Sequence, residues 1–249
     1  GYMTACAVLE SGRVMCWGLN YNGTLGDGSE DDASVPVEVA GIQDAVDVGV
    51  GRYHACAQTG SGDLWCWGDN GSGQLGNATN QSSNVPVPVA GLETIGWNMT
   101  VGDRHTCAAT VDGAKCWGEN GNAQLGIGTI VDQDEPHQVV MDGYKYATEI
   151  AAGGSHACAQ ERYNQRVKCW GSNIHHQAIP SAVATVYYAE VRFETDEDVD
   201  LALGDDFSCA WMPDSDQVLC WGKNSAGQAG AADSSSEVVI QSSVVSVCP

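Results

Sequence analysis

The sequence has few basic residues and no long apolar run. It contains 10 lysines and arginines against 32 aspartates and glutamates, which gives a formal net charge of −22. A chain with this excess of negative charge repels a phosphate backbone, so nucleic acid is disfavoured as a partner. No window approaches the roughly 18 uninterrupted apolar residues of a transmembrane helix, so we expect no membrane span.

Recognisable catalytic motifs are also missing. The sequence has no Gly-x-Ser-x-Gly, no His-Glu-x-x-His and no phosphate-binding loop of the Gly-x-x-x-x-Gly-Lys type. We therefore expect a protein that is not an enzyme. Helical periodicity near 3.6 residues is absent as well, and short alternating segments take its place. This pattern predicts an all-β fold.

Five copies of the tripeptide Cys-Trp-Gly divide the chain into units of about 50 residues. A period of this length, filled with short strands, is typical of a β-propeller. The sequence predicts a single propeller domain of five four-stranded blades. The expected blades cover about 1–49, 50–100, 101–151, 152–202 and 203–249.

The C-terminal residues look like the first strand of a blade. Residues 245–249 align with residues 46–50, and Gly51, which follows the latter, is the counterpart of Gly1. We expect the C-terminal strand to complete the first blade and to close the ring, because closure removes an exposed strand edge. The same strand could instead pair with a neighbouring molecule and build a chain of subunits. The sequence leaves both arrangements open.

Each Cys-Trp-Gly follows another cysteine by about ten residues, and we predict that the two form a disulfide. In the first repeat, pairing Cys6 with Cys16 places Val8 opposite Val14 and leaves residues 10–12 as the turn. Facing residues of a hairpin are close enough to bridge. Five bridges require an oxidising compartment, so we expect a secreted or cell-surface protein. The predicted pairs are Cys6–Cys16, Cys56–Cys66, Cys107–Cys116, Cys158–Cys169 and Cys209–Cys220.

Cys248 is the eleventh cysteine and has no partner in this scheme. It stands at the position that Gly49 occupies in the first full repeat. Two interpretations remain open, namely a buried free thiol under the closing blade and a cross-link to a second chain or to a residue beyond these ends.

The segment after each Cys-Trp-Gly resembles the repeat of the regulator of chromosome condensation family. The family's hallmark, Gly-x-Asn-x-x-Gly-Gln-Leu-Gly, is complete at residues 68–76, and degraded copies follow the other four tripeptides. The resemblance spans the chain and implies a β-propeller, although family propellers commonly have seven blades and this chain has five repeats. We interpret the motif asparagines as structural, because a side-chain amide can satisfy the backbone of a tight turn. They are Asn20, Asn70, Asn120, Asn173 and Asn224.

The function of the founding family member, a nuclear exchange factor for a small GTPase that also binds chromatin, does not suit an acidic chain rich in cysteine. The chain is more similar to extracellular relatives, which are the crinkly-type ectodomains of plant receptor kinases and secreted bacterial propellers, one of which inhibits β-lactamases. That similarity implies binding through loops on one face. We predict a secreted, non-enzymatic binding or scaffold module for a protein or glycan. The alternative is a structural subunit of an extracellular filament or surface coat, linked through the terminal strand or Cys248.

Three tryptophans lie outside the Cys-Trp-Gly series, namely Trp65, Trp97 and Trp211. Exposed tryptophans can stack on a sugar ring or anchor a protein partner, whereas buried ones pack in a core. Both interpretations apply to these three.

Four Asn-x-Ser/Thr sequons are possible glycosylation sites. They begin at Asn22, Asn77, Asn80 and Asn98.

No cofactor is expected, and two groups of polar residues are weak candidates for a metal site. One loop contains Asp27, Asp31 and Asp32, whose oxygens suit Ca²⁺, but the spacing of an EF-hand is absent and a solvated loop is the simpler interpretation. The adjacent pair His175 and His176 could bind a metal or belong to an exposed polar loop. A third histidine set, His54, His105 and His156, recurs at one repeat position, which predicts packing at a strand end.

Overall fold

The computed structural model describes residues 3–92, 95–140, 147–161, 166–179, 185–191, 198–229 and 240–242. Within these ranges the chain forms 19 β-strands and one short 3₁₀ helix, Tyr21–Gly23. The strands pair in antiparallel fashion within five separate sheets. The all-β prediction is therefore confirmed, and the five sheets correspond to the five repeats. In the part of the chain described, no helix has the length and apolarity needed to cross a membrane.

The strands follow the repeat along the chain. The first sheet contains β1 (Thr4–Val8), β2 (Val14–Gly18) and β3 (Ala33–Glu38). The second contains β4 (Ala45–Val50), β5 (His54–Thr59), β6 (Leu64–Gly68) and β7 (Ser83–Pro88). The third contains β8 (Ile95–Val101), β9 (His105–Thr110), β10 (Gly113–Gly118) and β11 (Gln133–Gln138). The fourth contains β12 (Ala147–Ala152), β13 (His156–Glu161), β14 (Val167–Ser172) and β15 (Thr185–Val191). The fifth contains β16 (Asp200–Leu203), β17 (Phe207–Met212), β18 (Gln217–Gly222) and β19 (Ile240–Ser242).

Within every sheet the strands are arranged in chain order. The first strand of each four-stranded sheet lies innermost, where its end lines a central cavity. Because this inner strand comes from the end of the preceding 50-residue unit, the sheets begin a few residues before the expected blade boundaries. The outer strands β3, β7 and β11 each contain proline. Proline has no amide donor, so within a sheet it is tolerated at an edge strand.

The second and third strands of each repeat form the predicted disulfide-bridged hairpin. In the first sheet Cys6 lies directly opposite Cys16, and Val8 lies opposite Val14, as expected from the sequence. The bonded pairs are Cys6–Cys16, Cys56–Cys66, Cys107–Cys116, Cys158–Cys169 and Cys209–Cys220. The disulfide prediction is confirmed in all five repeats.

Four apolar clusters join neighbouring sheets. We call the side of a sheet that carries the disulfide its trailing face, and the side that carries the tryptophan of Cys-Trp-Gly its leading face. Between the third and fourth sheets, Cys116 and Leu125 on the trailing face pack with Ala159 and Trp170 on the leading face. The same combination recurs at the first two junctions, and at the fourth Ala178 takes the place of the leucine. At these four junctions the disulfide of one sheet therefore packs against the tryptophan face of the next.

The Leu-Gly end of the family motif explains how closely the sheets approach. Gly76 has a positive φ of +67°, and a Cβ added there would lie 2.6 Å from the Trp117 indole of the next sheet. The Trp117 indole N–H donates to the Gln74 carbonyl at 3.0 Å. Asn70 holds the turn, since its Oδ1 accepts from the Leu75 N–H at 2.9 Å. This bond recurs at the other four motif asparagines, which confirms their structural role.

The first sheet differs from the others because three of its strands lie within the described residues. The place of an inner strand beside β1 corresponds to the strand predicted at 245–249. These residues and Cys248 lie outside the described part of the chain, so closure of the ring stays a prediction.

Candidate functional site

Four turns, each joining an inner strand to the next strand, gather around the central axis at one end of the propeller. They are residues 51–53, 102–104, 153–155 and 204–206, and we call them the rim. Backbone bonds connect successive turns, from the Arg52 N–H to the Asp103 carbonyl and from the Asp103 N–H to the Gly154 carbonyl, both at 3.2 Å. A Cβ at Gly51 would lie 2.3 Å from the carbonyl oxygen of Gly102, so glycine is needed for this approach. The rim surrounds a cavity of about 390 Å³.

The three repeated histidines lie behind the rim and are fully buried. His54 Nε2 lies 2.8 Å from the Thr106 hydroxyl of the next sheet, and that hydroxyl donates to the Gln74 carbonyl at 3.0 Å. His156 makes the same contact with the Ser208 hydroxyl at 2.8 Å. The Nε2 atom of His105 lacks a partner within the described residues, because its neighbour at the equivalent position is an alanine. The Nδ1 atoms of all three rings also lack a partner there. The prediction of packing at a strand end is confirmed.

Burial also sets the charge of these histidines. Desolvation is the main cause that lowers the pKa of His54 to about 3, of His105 to about 4 and of His156 to about 3. The three rings are therefore neutral at physiological pH. They support the rim by packing and contribute no charge to its surface.

Two arginines and two tyrosines form a cluster on the rim side of the second and third sheets. The guanidinium carbons of Arg52 and Arg104 each lie 5.4 Å from the centre of the Tyr53 ring. The Tyr21 ring lies 5.2 Å from the same ring and is 59% exposed. We call these four residues the arginine–tyrosine patch. Two of the chain's 10 basic residues meet here, and Arg52 also forms an ion pair with Asp103 at 3.7 Å. The patch is therefore an aromatic surface with two arginines, one of them partly neutralised, on an acidic protein.

The rim has the opposite charge at the fifth sheet. Asp206 accepts a hydrogen bond from Lys223 Nζ at 2.9 Å and faces His175 Nε2 at 3.9 Å. Burial, followed by the charge of Asp205, raises the pKa of the Asp103 carboxyl, while Arg52 acts in the opposite direction. A second cavity of about 310 Å³ lies between these aspartates. The face therefore changes from positive to negative around its central axis.

The tryptophans predicted as partner contacts are not brought together by the structure. Trp65 is half-buried and packs on the core between the first and second sheets. Trp211 is 43% exposed on β17. The side chain of Trp97 lies outside the described residues. Neither Trp65 nor Trp211 belongs to the rim, and their role in partner binding stays a prediction.

The four sequons differ in how their asparagines are held. The Asn22 amide donates to Asp69 Oδ1 at 2.8 Å, and the Asn98 amide donates to the Ile150 carbonyl at 3.1 Å. Asn77 is partly buried and accepts from the Thr79 hydroxyl at 2.8 Å. Asn80 is exposed. Glycosylation stays a prediction at all four, and Asn80 is the most accessible acceptor.

The weak metal candidates are occupied by local contacts. Asp27 accepts from the backbone N–H of Ser29 at 3.0 Å, and Asp32 accepts from that of Asn20 at 2.8 Å. Asp31 is exposed on the same loop, and His176 has a left-handed φ of 60° beside His175. Across the described ranges, no group of three histidine, cysteine, aspartate or glutamate side chains is arranged to hold a metal ion.

The arginine–tyrosine patch was not predicted from the sequence. Its members come from two turns of the rim and from the 3₁₀ helix, and they are far apart along the chain. One signal was available, since the two residues after Gly51, Gly102, Gly153 and Gly204 differ from repeat to repeat. Variation at a position that faces solvent at one end of a propeller is typical of a binding surface.

The sheets, their repeated junctions and the rim define a β-propeller built from one recurring unit. A family profile described as "Regulator of chromosome condensation (RCC1) repeat" matches residues 11–58, 61–109 and 116–160. A second profile of the same repeat matches residues 45–74. The chain belongs to the RCC1 repeat family. No curated protein matches the sequence.

Solved structures share this fold. Prp20p from Saccharomyces cerevisiae is 18% identical, with a TM-score of 0.82 over 99% of this chain and 64% of its own. Human WBSCR16 is 18% identical, with a TM-score of 0.84 over 98% of this chain and 66% of its own. The ectodomain of the Physcomitrella patens receptor kinase CR4 is 22% identical, with a TM-score of 0.53 over 88% of this chain and 49% of its own. The chain thus spans less than two thirds of the length of these relatives.

Proposed function

We propose that the protein is a non-enzymatic binding module that holds a protein partner on its rim face, with the arginine–tyrosine patch as the main contact. The patch is the observation that carries the proposal. Tyrosine and arginine are enriched among the residues that dominate protein interfaces, because they combine a large apolar area with directed polar groups. The buried, neutral state of the rim histidines supports a role without catalysis.

The chemistry of the face indicates the kind of partner that it fits. The positive patch around Arg52 and Arg104 favours an acidic segment, and the aspartates around Asp206 favour a basic one. A partner with an acidic segment opposite the arginines and a basic segment opposite the aspartates would be oriented by electrostatic attraction before contact. Proteins with this fold bind other proteins. One solved structure is that of Kap60 bound to yeast RCC1 (Prp20), and another is that of Prp20p, described with its binding properties to Gsp1p and histones.

The setting that we propose for this module is extracellular. Five disulfides persist in an oxidising compartment and are rare in the cytosol. The fold is also shared with the ectodomain of a plant receptor kinase. Prp20p and the receptor ectodomain are 18% and 22% identical to this chain, so both similarities are evidence of fold, and the disulfides carry the proposal of an extracellular setting.

The proposal is tested by binding of the disulfide-intact chain to an array of secreted proteins and ectodomains, with a glycan array beside it. Reversing both patch charges, in Arg52→Glu with Arg104→Glu, should weaken protein binding at least about tenfold. The matched control is Arg13→Glu, a basic residue on a turn away from the rim that pairs with Glu38 at 3.1 Å. Equal binding by the patch variant and the control would refute the proposal. Signals on the glycan array alone would assign the face to a sugar instead.

A further inference from the structure

The cavity within the rim has an apolar floor. Its lining consists of the first two residues of each rim turn and the last residue of the inner strand before that turn. These last residues are partly exposed, and each also packs on one of the four junction clusters, so a fixed core supports the floor from behind. We call this space the axial cavity, and its floor is formed by Val50, Val101, Ala152 and Leu203.

Glycine forms the walls of the axial cavity, because no side chain fits at the start of each turn. A Cβ added at Gly102 would lie 2.2 Å from Cε1 of His105 and 2.7 Å from the Gly153 carbonyl oxygen. The buried histidine holds the turn from behind, and the missing side chains leave the volume of about 390 Å³ in front. This volume lies within the range of roughly 300–1,000 Å³ that is typical of ligand sites, which are largely preformed.

The mouth of the axial cavity carries negative charge on one side. Arg52 forms an ion pair with Asp103 at 3.7 Å, towards the second sheet. Gly154 has no side chain, so an open space lined by Asp103 and Asp205 remains beside it. Burial, followed by the charge of Asp205, raises the pKa of the Asp103 carboxyl. A cation in this space would therefore be stabilised by both carboxylates.

The floor and the mouth together require an apolar group and a positive charge that lie close to each other. Two residues of extended chain span at most about 7 Å, which limits the distance from the floor to the mouth. Lysine and arginine carry their charge at the end of a long stem, so entry of the tip would place that charge on the apolar floor. In an amino-terminal residue, the α-ammonium and the side chain are attached to the same carbon atom. Its pKa of about 7.7–8.0 keeps this group charged at neutral pH.

We propose that the axial cavity binds the amino-terminal residue of the partner protein, with an aliphatic side chain on the floor and the α-ammonium between Asp103 and Asp205. The inference rests on the proposed function, since the same face holds the partner. An extracellular setting supplies such groups, because removal of a signal peptide gives a secreted protein a new amino terminus. Arg52 belongs to both the mouth and the arginine–tyrosine patch, so one partner can contact the two together.

Titration with L-leucinamide, followed by methyl NMR spectroscopy, tests the site without the partner. The methyl resonances of the four floor residues should shift, with a dissociation constant in the millimolar range for so small a ligand. N-acetyl-L-leucinamide lacks the positive charge and glycinamide lacks the side chain. Each should bind at least about tenfold more weakly than leucinamide. Unchanged floor resonances, or equal binding by either analogue, would overturn the proposal.

Two substitutions test the mouth and the floor separately. Asp205→Asn removes one carboxylate charge and should weaken leucinamide binding about tenfold. Its control is Asp112→Asn, on the exposed turn between β9 and β10 at the opposite end of the third sheet, which should leave binding unchanged. Ala152→Leu fills part of the floor and should weaken binding at least as much, and Leu203 shows that the repeat accommodates leucine at this position.

Ala152→Val replaces Ala152→Leu if near-ultraviolet circular dichroism reveals a folding defect, since valine stands at this position in the second and third sheets. Parental affinity for leucinamide in Asp205→Asn, or in a folded Ala152 variant, would refute the proposal. The tripeptide Leu-Ser-Gly amide should bind at least as tightly as leucinamide, because the chain that follows leaves through the mouth. Exclusion of the tripeptide would assign the cavity to a small free amine and would overturn the proposed source.

The outcomes for this site and for the rim-face function are distinguishable. Binding of leucinamide and of the tripeptide, without any secreted protein on the rim, would support the axial site and refute the proposed function. A protein that binds through the arginine–tyrosine patch and is unaffected by Ala152→Leu would support the proposed function and overturn this inference.

Discussion

Replacing Ala157 by serine should give His105 the hydrogen bond that His54 and His156 already have. The hydroxyls of Thr106 and Ser208 lie 2.8 Å from the Nε2 atoms of those two histidines. At the third junction the equivalent residue is Ala157, and His105 is buried with no partner within the described residues. The repeat thus contains its own comparison, with two histidines whose Nε2 atoms have a hydroxyl partner and one whose Nε2 atom has none within the described residues.

The magnitude follows from the cost of an unpaired buried polar group, which is about 1–3 kcal/mol. The new hydroxyl would also have an acceptor, because the Gln124 carbonyl receives the Trp170 indole N–H at 2.8 Å and has a second lone pair. The Gln74 carbonyl already accepts two donors in this way. Space is available, since serine and threonine occupy this position in neighbouring sheets. We expect Ala157→Ser to raise the free energy of unfolding by about 1–2 kcal/mol.

Urea unfolding under non-reducing conditions at neutral pH measures this change. His105→Phe provides the matched background, because Phe207 occupies the histidine position in the fifth sheet. In that background the imidazole is absent, so Ala157→Ser should lose most of its benefit, with a coupling energy near 1 kcal/mol. An equal effect of Ala157→Ser in both backgrounds, or destabilisation of the parent chain, would refute the reasoning.

Two further predictions concern the junctions and the rim histidines. Gly76→Ala should lower the free energy of unfolding by about 3 kcal/mol or more, because its Cβ would lie 2.6 Å from the Trp117 indole. Gly91→Ala is the control, since Gly91 has a φ of +58° but nothing within 4 Å, and it should lower that free energy by only about 1 kcal/mol. Acid should destabilise the fold. The folded pKa values of the rim histidines lie below the unfolded value near 6.5, so their contribution is present above pH 6.5 and falls as the pH drops towards 4, by up to about 1.4 kcal/mol per pH unit for each ring. Burial raises the pKa of Glu149 to about 7, so this carboxyl stabilises the fold as the pH falls and opposes the histidines. The free energy of unfolding should therefore be measured over a pH series for His105→Phe and for the parent. Equal slopes of this free energy against pH would contradict the role given to His105.

The disulfide hairpins could be predicted because hairpin geometry depends on register and tolerates changes in the turn. Cys107 and Cys116 are separated by 9 residues, and Cys209 and Cys220 by 11. Both pairs lie directly opposite each other, since residues are gained or lost at the turn while the pairing near the cysteines is unchanged. Five copies of one pattern also separate the constant positions from the variable ones.

The exposed surfaces could not be predicted by the same route. Trp211 is 43% exposed on β17, although Ala109 at the equivalent position of β9 is 0% exposed. The patch depends on the distances between side chains of separate loops, as between Tyr21 and Tyr53, and no spacing in the sequence encodes those distances. Repeats report what neighbouring sheets share, whereas these features arise where the repeats differ.

The rim explains how one backbone can carry several surface chemistries. Each turn begins with glycine and ends, three residues later, at a ring that is buried in three turns and partly exposed at Phe207. The glycine N–H donates to the carbonyl of that last residue at 2.9 Å. These two positions fix the turn, so the two residues between them point outward with little consequence for packing. The first of the two is Arg52, Asp103, Gly154 or Asp205. The same turn thus carries a positive, a negative or no charge at this position in different repeats. We therefore place the binding function there rather than at the repeated contacts of the junctions, where every side chain must also fill a core.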